Sequence, residues 1–254
     1  MKLIDTHAHL LDESYKEPKI IYDETAKNIW YLFNIAFDVP SAKEVIERFK
    51  EYPQFFPVIG IHPAYTTEND DLPIAEIEEL ISSKIKAIGE IGLDYFREHN
   101  KDNQKQAFIK QIKLAKKYYL PIVVHTRESL EDTWEIIKQY PDQKFLLHSW
   151  SGDVDLTKEI IALRDNIWFS YNGITTFNNA QKQRDTIKYI PLDRLLLETD
   201  CPFLTPVPKR GKPNVPEYVE LVLNFVADLF SMDVETLNEQ VNKNAQEFYG
   251  VDLK

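Results

Sequence analysis

Short apolar runs rich in Ile, Val, Leu and aromatic residues recur about eight times along the chain, near 2–7, 28–37, 56–61, 85–91, 120–125, 144–149, 166–172 and 194–199. Apolar residues fill successive positions in these runs, as strands buried on both faces require; Trp30-Tyr31-Leu32-Phe33 is such a strand. Amphipathic stretches lie between them. The clearest covers 101–119, where Phe108, Ile109, Ile112, Ala115 and Tyr119 return at helical spacing. The stretches 40–52, 68–83, 127–140 and 153–165 play the same part, and 216–230 and 233–250 read as two further helices. Strands alternating with helices predict a parallel sheet covered by helices. Eight repeats without a switch in the pattern favour a closed TIM-type (β/α)8 barrel with C-terminal helices over an open sheet. No linker or low-complexity tract divides the chain, so 1–254 is expected to be one domain.

Several apolar runs end on an acid or a histidine. Asp5-Thr6-His7-Ala8-His9 closes the first, and Glu90, His125, His148 and Asp200 stand at the ends of later ones. In a parallel barrel the C-terminal strand ends converge on one mouth, so residues about two hundred positions apart share a site. Alternation along a strand puts Asp5, His7 and His9 on one face, and likewise Glu90 with Asp94, His125 with Arg127 and Glu198 with Asp200. A lone His-X-His is more often a pair of core histidines than a ligand pair. Four of the six histidines at strand ends, joined by two carboxylates, are a different matter. Imidazoles and carboxylates gathered in this way bind borderline divalent metals, and the pattern reads as a metal-dependent hydrolase.

Composition narrows the setting. No apolar run approaches the roughly 20 residues of a membrane span, and the N-terminal run is too short for a signal peptide. The single cysteine, Cys201, excludes an internal disulfide framework and fits a cytoplasmic protein; it is expected to be packed rather than reactive. The net charge of −11, from 30 basic and 41 acidic residues, argues against a broad electrostatic nucleic-acid surface. It leaves room for an enzyme that grips one strand end, because two divalent ions would reverse the local field at the mouth.

The sequence resembles the TatD-type metal-dependent deoxyribonucleases, within the wider amidohydrolase-like barrels. The matching segments are Ile4-Asp5-Thr6-His7-Ala8-His9, Gly60-Ile61-His62-Pro63, Ile88-Gly89-Glu90-Ile91-Gly92-Leu93-Asp94-Tyr95, Gln104 and Phe108. They continue with Pro121-Ile122-Val123-Val124-His125-Thr126-Arg127, His148-Ser149-Trp150-Ser151-Gly152, Leu197-Glu198-Thr199-Asp200-Cys201-Pro202 and Arg210-Gly211-Lys212-Pro213-Asn214. The likeness runs in order over about residues 3–250. It implies that His7, His9 and Asp200 hold one divalent ion (Mg, Mn or Zn), that His125 and His148 hold a second, and that Glu90 bridges them. Many amidohydrolase-like barrels use a carbamylated lysine in place of that glutamate. Asp200 would also orient the nucleophilic water or take its proton.

The resemblance makes His62 a contact for substrate phosphate, the alternative being a cap for the turn before Pro63. Arg210, in the basic loop 206–214 after the eighth strand, is suited to fork onto phosphate oxygens, unless that loop is simply solvated. Where the family often has a glutamate this chain has Val215, which leaves one rim contact in doubt. Asp94 and Glu198 are expected to hold a histidine tautomer or a ligating carboxylate from behind, with a purely structural role as the alternative. Arg127 is expected to contact phosphate or pair with a carboxylate, and His99 to be a solvated loop residue. Trp150 and Phe203 are candidates to stack on a nucleobase, with core packing as the alternative.

The implied activity is hydrolysis of DNA, as a 3′–5′ exodeoxyribonuclease on single-stranded ends, with no membrane and no obligate protein partner. An amidohydrolase-like C–N or ester hydrolase, including one that deacylates D-aminoacyl-tRNA, would share the metals but not need the basic loop. A non-catalytic metal scaffold would tolerate loss of a ligand, whereas every ligand position is filled.

Overall fold

In the computed structural model, which describes residues 1–66, 72–96 and 100–252, each apolar run becomes a strand of one parallel sheet. The strands are β1 (Ile4–Ala8), β2 (Tyr31–Ile35), β3 (Phe55–Ile59), β4 (Ala87–Asp94), β5 (Ile122–Arg127), β6 (Phe145–Leu147), β7 (Ile167–Tyr171) and β8 (Leu195–Leu197). They pair in sequence order from β1 to β8. The ring closes just beyond β8, where Ala8 bridges Cys201 in parallel. The Asp200 amide there donates to the His7 carbonyl at 2.9 Å, and the His9 amide to the Cys201 carbonyl at 2.8 Å. This is a (β/α)8 barrel, with its last seam made by the residues that follow β8.

Two apolar layers explain why the strands are apolar throughout. One cluster takes Ile4, Phe33, Val58, Ala87, Val123, Leu146, Trp168 and Leu196, and so touches all eight strands from inside the barrel. The neighbours of these residues, such as Ile122 and Val124 or Leu195 and Leu197, belong to the second cluster, between strands and helices. The barrel floor is filled from the C-terminus. Phe248 and Tyr249 join the inner cluster, the Tyr249 ring stacks on Phe33 at 3.6 Å, and its hydroxyl donates to the Thr6 carbonyl at 2.8 Å.

The helices are α1 (Pro18–Asn28), α2 (Val39–Arg48), α3 (Ile74–Glu79), α4 (Lys101–Lys117), α5 (Leu130–Ile137), α6 (Val154–Leu163), α7 (Gln181–Thr186), α8 (Val219–Phe230) and α9 (Val234–Tyr249). Helix α1 has no counterpart in the predicted pattern, because Ile20 faces solvent while Tyr22 and Thr25 turn inward, which breaks the apolar period. The stretch predicted over 40–52 ends earlier as a helix: a capping box between Asp38 and Ser41 starts α2, and Phe49–Glu51 continues it as a 3₁₀ turn. The stretch over 127–140 also starts late, since β5 runs on to Arg127 and α5 begins at Leu130. Of the stretch over 68–83, residues 68–71 lie outside the described residues and α3 covers Ile74–Glu79. Among the described residues no helix is long and apolar enough to cross a membrane.

If α9 plugs the barrel floor, Tyr249→Ala lowers stability by about 3–5 kcal/mol, the usual effect of deleting a buried aromatic ring. Tyr249→Phe, which loses only the hydrogen bond to Thr6, lowers it by about 1 kcal/mol. Urea unfolding midpoints measure both, and an unchanged midpoint for Tyr249→Ala contradicts the plug.

Candidate metal centre

At the C-terminal mouth, side chains from β1, β4, β5, the end of β6 and the segment after β8 converge on Glu90. Its two carboxylate oxygens face different partners. Oε2 lies 3.5 Å from His7 Nε2 and 3.8 Å from His9 Nε2, while Oε1 lies 2.7 Å from His125 Nδ1 and 3.1 Å from His148 Nε2. Asp200 Oδ1 stands on the first side, 3.6 Å from His7 Nε2 and 3.4 Å from His9 Nε2. Among the described residues, His7–His9–Glu90, His7–His148–Asp200 and Glu90–His125–His148 each offer donor atoms within 4.8 Å of one another. All six residues assigned as ligands from sequence therefore share one site.

The backbone helps to aim them. Asp200 has φ 55°, a left-handed conformation that Asp tolerates better than most residues and that is common where function constrains the chain. Asp5 is in none of the donor groups. Its carboxylate accepts from the Thr199 hydroxyl, from the Thr199 amide at 2.9 Å and from the His7 amide at 3.3 Å. Asp5 thus ties the end of β1 to the segment carrying Asp200 across the closing seam, a role the alternation rule did not reveal.

Outer carboxylates set two imidazoles. His125 Nε2 is 3.2 Å from Asp94 Oδ2, and His148 Nδ1 is 3.0 Å from Glu198 Oε1. Glu198 Oε1 also accepts from the Ser149 amide at 3.0 Å and from Asn172 Nδ2 at 3.2 Å. With the outer nitrogen donating to a carboxylate, the inner nitrogen is the one that faces Glu90, and it offers its lone pair to a metal once its proton has left. His7 is fixed differently: its Nδ1 is buried without a partner, and its ring stacks on His148 at 3.8 Å.

The donor set suits divalent cations. His7 Nε2 and His9 Nε2 sit 3.2 Å apart and face the same carboxylates, so their inward lone pairs need a cation or a proton between them. Nitrogen and carboxylate donors of this kind fit Zn, Mn or Mg. In the metal-free protein, protons take that place. Burial works against a charged imidazole at His148, but Glu198 and then Glu90 outweigh it and hold His148 well above its ordinary value. His9 is raised against the same burial by Asp200, and His125 by Glu90 and Asp94. Burial likewise opposes ionisation of Glu90, yet His148 and His125 hold it well below the carboxylate range.

His62 takes the capping role and also faces the site. Its Nδ1 accepts the Ala64 amide at 3.0 Å, capping the 3₁₀ turn Pro63–Tyr65, and its Nε2 lies 4.0 Å from Glu90 Oε1. Burial depresses its pKa to about 3, so the ring is neutral. With Nδ1 accepting, the proton sits on Nε2 and points inward. His62, Asp94 and His125 also cluster within 4.8 Å, but an inward N–H makes His62 a donor rather than a ligand.

The pocket over this centre measures about 250 Å³ and is lined by His9, Asp12, Phe37, His62, Ala64, Tyr65, Glu90, His125, His148, Asp200 and Phe203. A larger cavity of about 740 Å³ opens at the opposite end of the barrel, around Lys86, Tyr119 and Lys144, far from the imidazole cluster. Arg127 and Arg210 do not line the site pocket. Their guanidinium groups lie over aromatic rings, Arg127 on Phe96 at 3.6 Å and Arg210 on Phe177 at 4.0 Å. Trp150 is buried, with its Nε1 donating to Thr157 at 2.9 Å and its ring packed on Phe169; it is a core residue and not a base-stacking one. Cys201 is buried and free. His99 lies outside the described residues. Tyr65 lines the pocket and was not singled out from sequence.

Three comparisons bear on this geometry. The family model described as TatD related DNase matches residues 4–250. YabD of Bacillus subtilis, an uncharacterized metal-dependent hydrolase, is 37% identical and aligns over 98% of this chain and 99% of its own. YcfH of Escherichia coli K12, with the same description, is 31% identical over 99% and 97%. The crystal structure of YjjV, a TatD homologue from Escherichia coli K12, superposes with a TM-score of 0.88 over 98% of each chain at 24% identity, a likeness that establishes the fold.

Because carboxylates raise His9, His125 and His148 from the ordinary imidazole value in the metal-free protein, metal uptake is expected to displace protons from them. Calorimetric titration with Mn²⁺ or Zn²⁺ is expected to show proton release near neutrality and an affinity that falls from about pH 8 to about pH 6. Glu198→Gln, which removes the carboxylate behind His148, is expected to weaken metal binding about 10–100-fold. An affinity independent of pH across that range contradicts the assignment.

Proposed function

This chain belongs to the TatD-related DNase family of metal-dependent hydrolases, and on that premise we propose that it hydrolyses phosphodiester bonds at DNA ends, trimming single strands from the 3′ terminus in the cytoplasm. The observation that carries this reading is Glu90 between two groups of imidazoles, with a neutral N–H donor, His62, beside it. Two divalent ions, one held by His7, His9 and Asp200 and one by His125 and His148 with Glu90 shared, would set positive charge against a phosphoryl group and acidify a water molecule.

The side chains divide the remaining tasks. Burial opposes ionisation of Asp200, but its hydrogen bond with His9 and the charges of His148 and His7 keep it below the ordinary carboxylate value. It is therefore ionised near neutrality and able to accept the proton of an attacking water. As the water oxygen bonds to phosphorus, the P–O3′ bond breaks; the terminal residue leaves with the phosphate on its 5′ oxygen, and O3′ takes a proton from solvent to become the hydroxyl of the shortened strand. His62 donates its Nε2 proton to a non-bridging oxygen and adds no charge of its own. Arg127 and Arg210 lie outside the pocket over Phe96 and Phe177, and the role inferred for them is contact with neighbouring phosphates rather than the reacting one.

Two features support an end rather than a long duplex. A pocket of about 250 Å³ falls below the ~300–1,000 Å³ of most ligand sites, and suits one residue of a polymer. A net charge of −11 leaves attraction for phosphate concentrated at the mouth, so binding should depend only shallowly on salt.

Short single-stranded DNA labelled at the 3′ or 5′ end, with Mg²⁺, Mn²⁺ or Zn²⁺, tests the proposal. Stepwise loss from the 3′ end is expected. Rapid nicking of closed circular duplex would make the enzyme an endonuclease, and turnover of amides or aminoacylated tRNA without DNA cleavage would make it a C–N or ester hydrolase. His62→Ala is expected to slow DNA turnover about ten-fold or more with metal content unchanged. Loss of metal from that variant would reassign His62 as a ligand.

A further inference from the structure

We propose that Tyr65 and Phe203 form a pair of nucleobase platforms, one on each lip of the pocket, that hold the bases flanking the bond to be cut; this rests on the nuclease reading above. Both rings line the pocket that contains Glu90 and Asp200. Both are large apolar side chains left about half exposed, Tyr65 at 48% and Phe203 at 49%.

The two are mounted in the same way. Each stands three residues after a site residue, and each closes a tight turn back onto it. The Tyr65 amide donates to the His62 carbonyl at 2.8 Å, and the Phe203 amide to the Asp200 carbonyl at 3.0 Å. Each turn is then braced. Tyr65 ends a 3₁₀ turn that begins at Pro63, and its ring lies over Phe37 at 4.9 Å. The Phe203 carbonyl accepts Asn214 Nδ2 at 2.7 Å, and its ring sits 6.1 Å from that of His9. A ring held in place before binding loses little freedom when a ligand arrives, so its contact contributes more to affinity.

Charge makes such contacts necessary. With a net charge of −11 and Arg127 and Arg210 outside the pocket, phosphate attraction away from the metal centre rests on few groups. Stacking attracts a strand without charge, and it accepts any base because every base offers a π-face. That tolerance suits an enzyme that must degrade whatever residue comes next.

The test compares KM for a short single strand with natural bases against the same strand carrying abasic residues at its last two 3′ positions, using the metal-loaded enzyme. Wild type is expected to bind the abasic strand about ten-fold or more less well. Tyr65→Ala and Phe203→Ala are each expected to raise KM on the natural strand, by less than the loss of both bases does, and neither should raise KM further on the abasic strand. Tyr65→Phe and Phe203→Trp, which keep a ring, are expected to stay near wild type. Equal losses on both strands, or ring-keeping variants as poor as alanine, overturn the proposal. If wild type cuts both strands equally well, the platforms fail while the nuclease reading stands. If it cuts neither, the nuclease reading fails and the platforms fall with it.

Discussion

Buried midway along β4, which runs on past it to Asp94, the Glu90 carboxylate turns one oxygen toward His7 and His9 and the other toward His125 and His148. A carboxylate in so dry a place is strongly unfavourable unless positive charge meets it. The mouth of the barrel is organised to supply that charge. Asp94 and Glu198 stand behind His125 and His148 and aim their lone pairs inward. Asp5 clamps Thr199, so His7 and Asp200 approach across a seam that could otherwise slip. The carboxylates outweigh what the imidazoles neutralise unless the imidazoles are protonated or cations are bound. A centre built in this way binds protons or divalent ions and exchanges one for the other.

The fold separates this charged end from its stabilising end. Inside the barrel, one residue or more from each strand packs with Phe248 and Tyr249, which close the floor. The polar cluster therefore sits on a dry, well-filled base, and its members are carried by the strands themselves or by residues within three positions of their ends. Rigid mounting of this kind matters for a site whose reacting groups must be held to a fraction of an ångström. The loops above add what the strands do not: the turn after β3 carries His62 and Tyr65, and the segment after β8 carries Asp200 and Phe203.

Much of this is legible in the sequence, for a physical reason. A strand covered on both faces must be apolar at every position, so a histidine or acid at the end of such a run stands out, and in a parallel barrel all such ends meet. His7, His9, Glu90, His125, His148 and Asp200 were readable on that basis. Helix α1 was not, because its inward positions are Tyr22 and Thr25 while Ile20 faces water. The start of α5 was misplaced because β5 ends in His125-Thr126-Arg127, polar residues that look like the opening of a helix. Trp150 stands two residues from His148, yet its ring packs into the core beside Phe169. Asp5 and Tyr65 depend on contacts across the closing seam and within a three-residue turn, which no periodicity reports.

On the function proposed above, one glutamate joins two cation sites. Electron paramagnetic resonance of the protein titrated with Mn²⁺ tests it most directly. The account predicts that two ions bind and that their spectrum shows exchange coupling through a shared carboxylate, which Glu90→Ala abolishes. Saturation at a single ion, or two ions whose spectrum remains that of isolated Mn²⁺ at every loading, would contradict it.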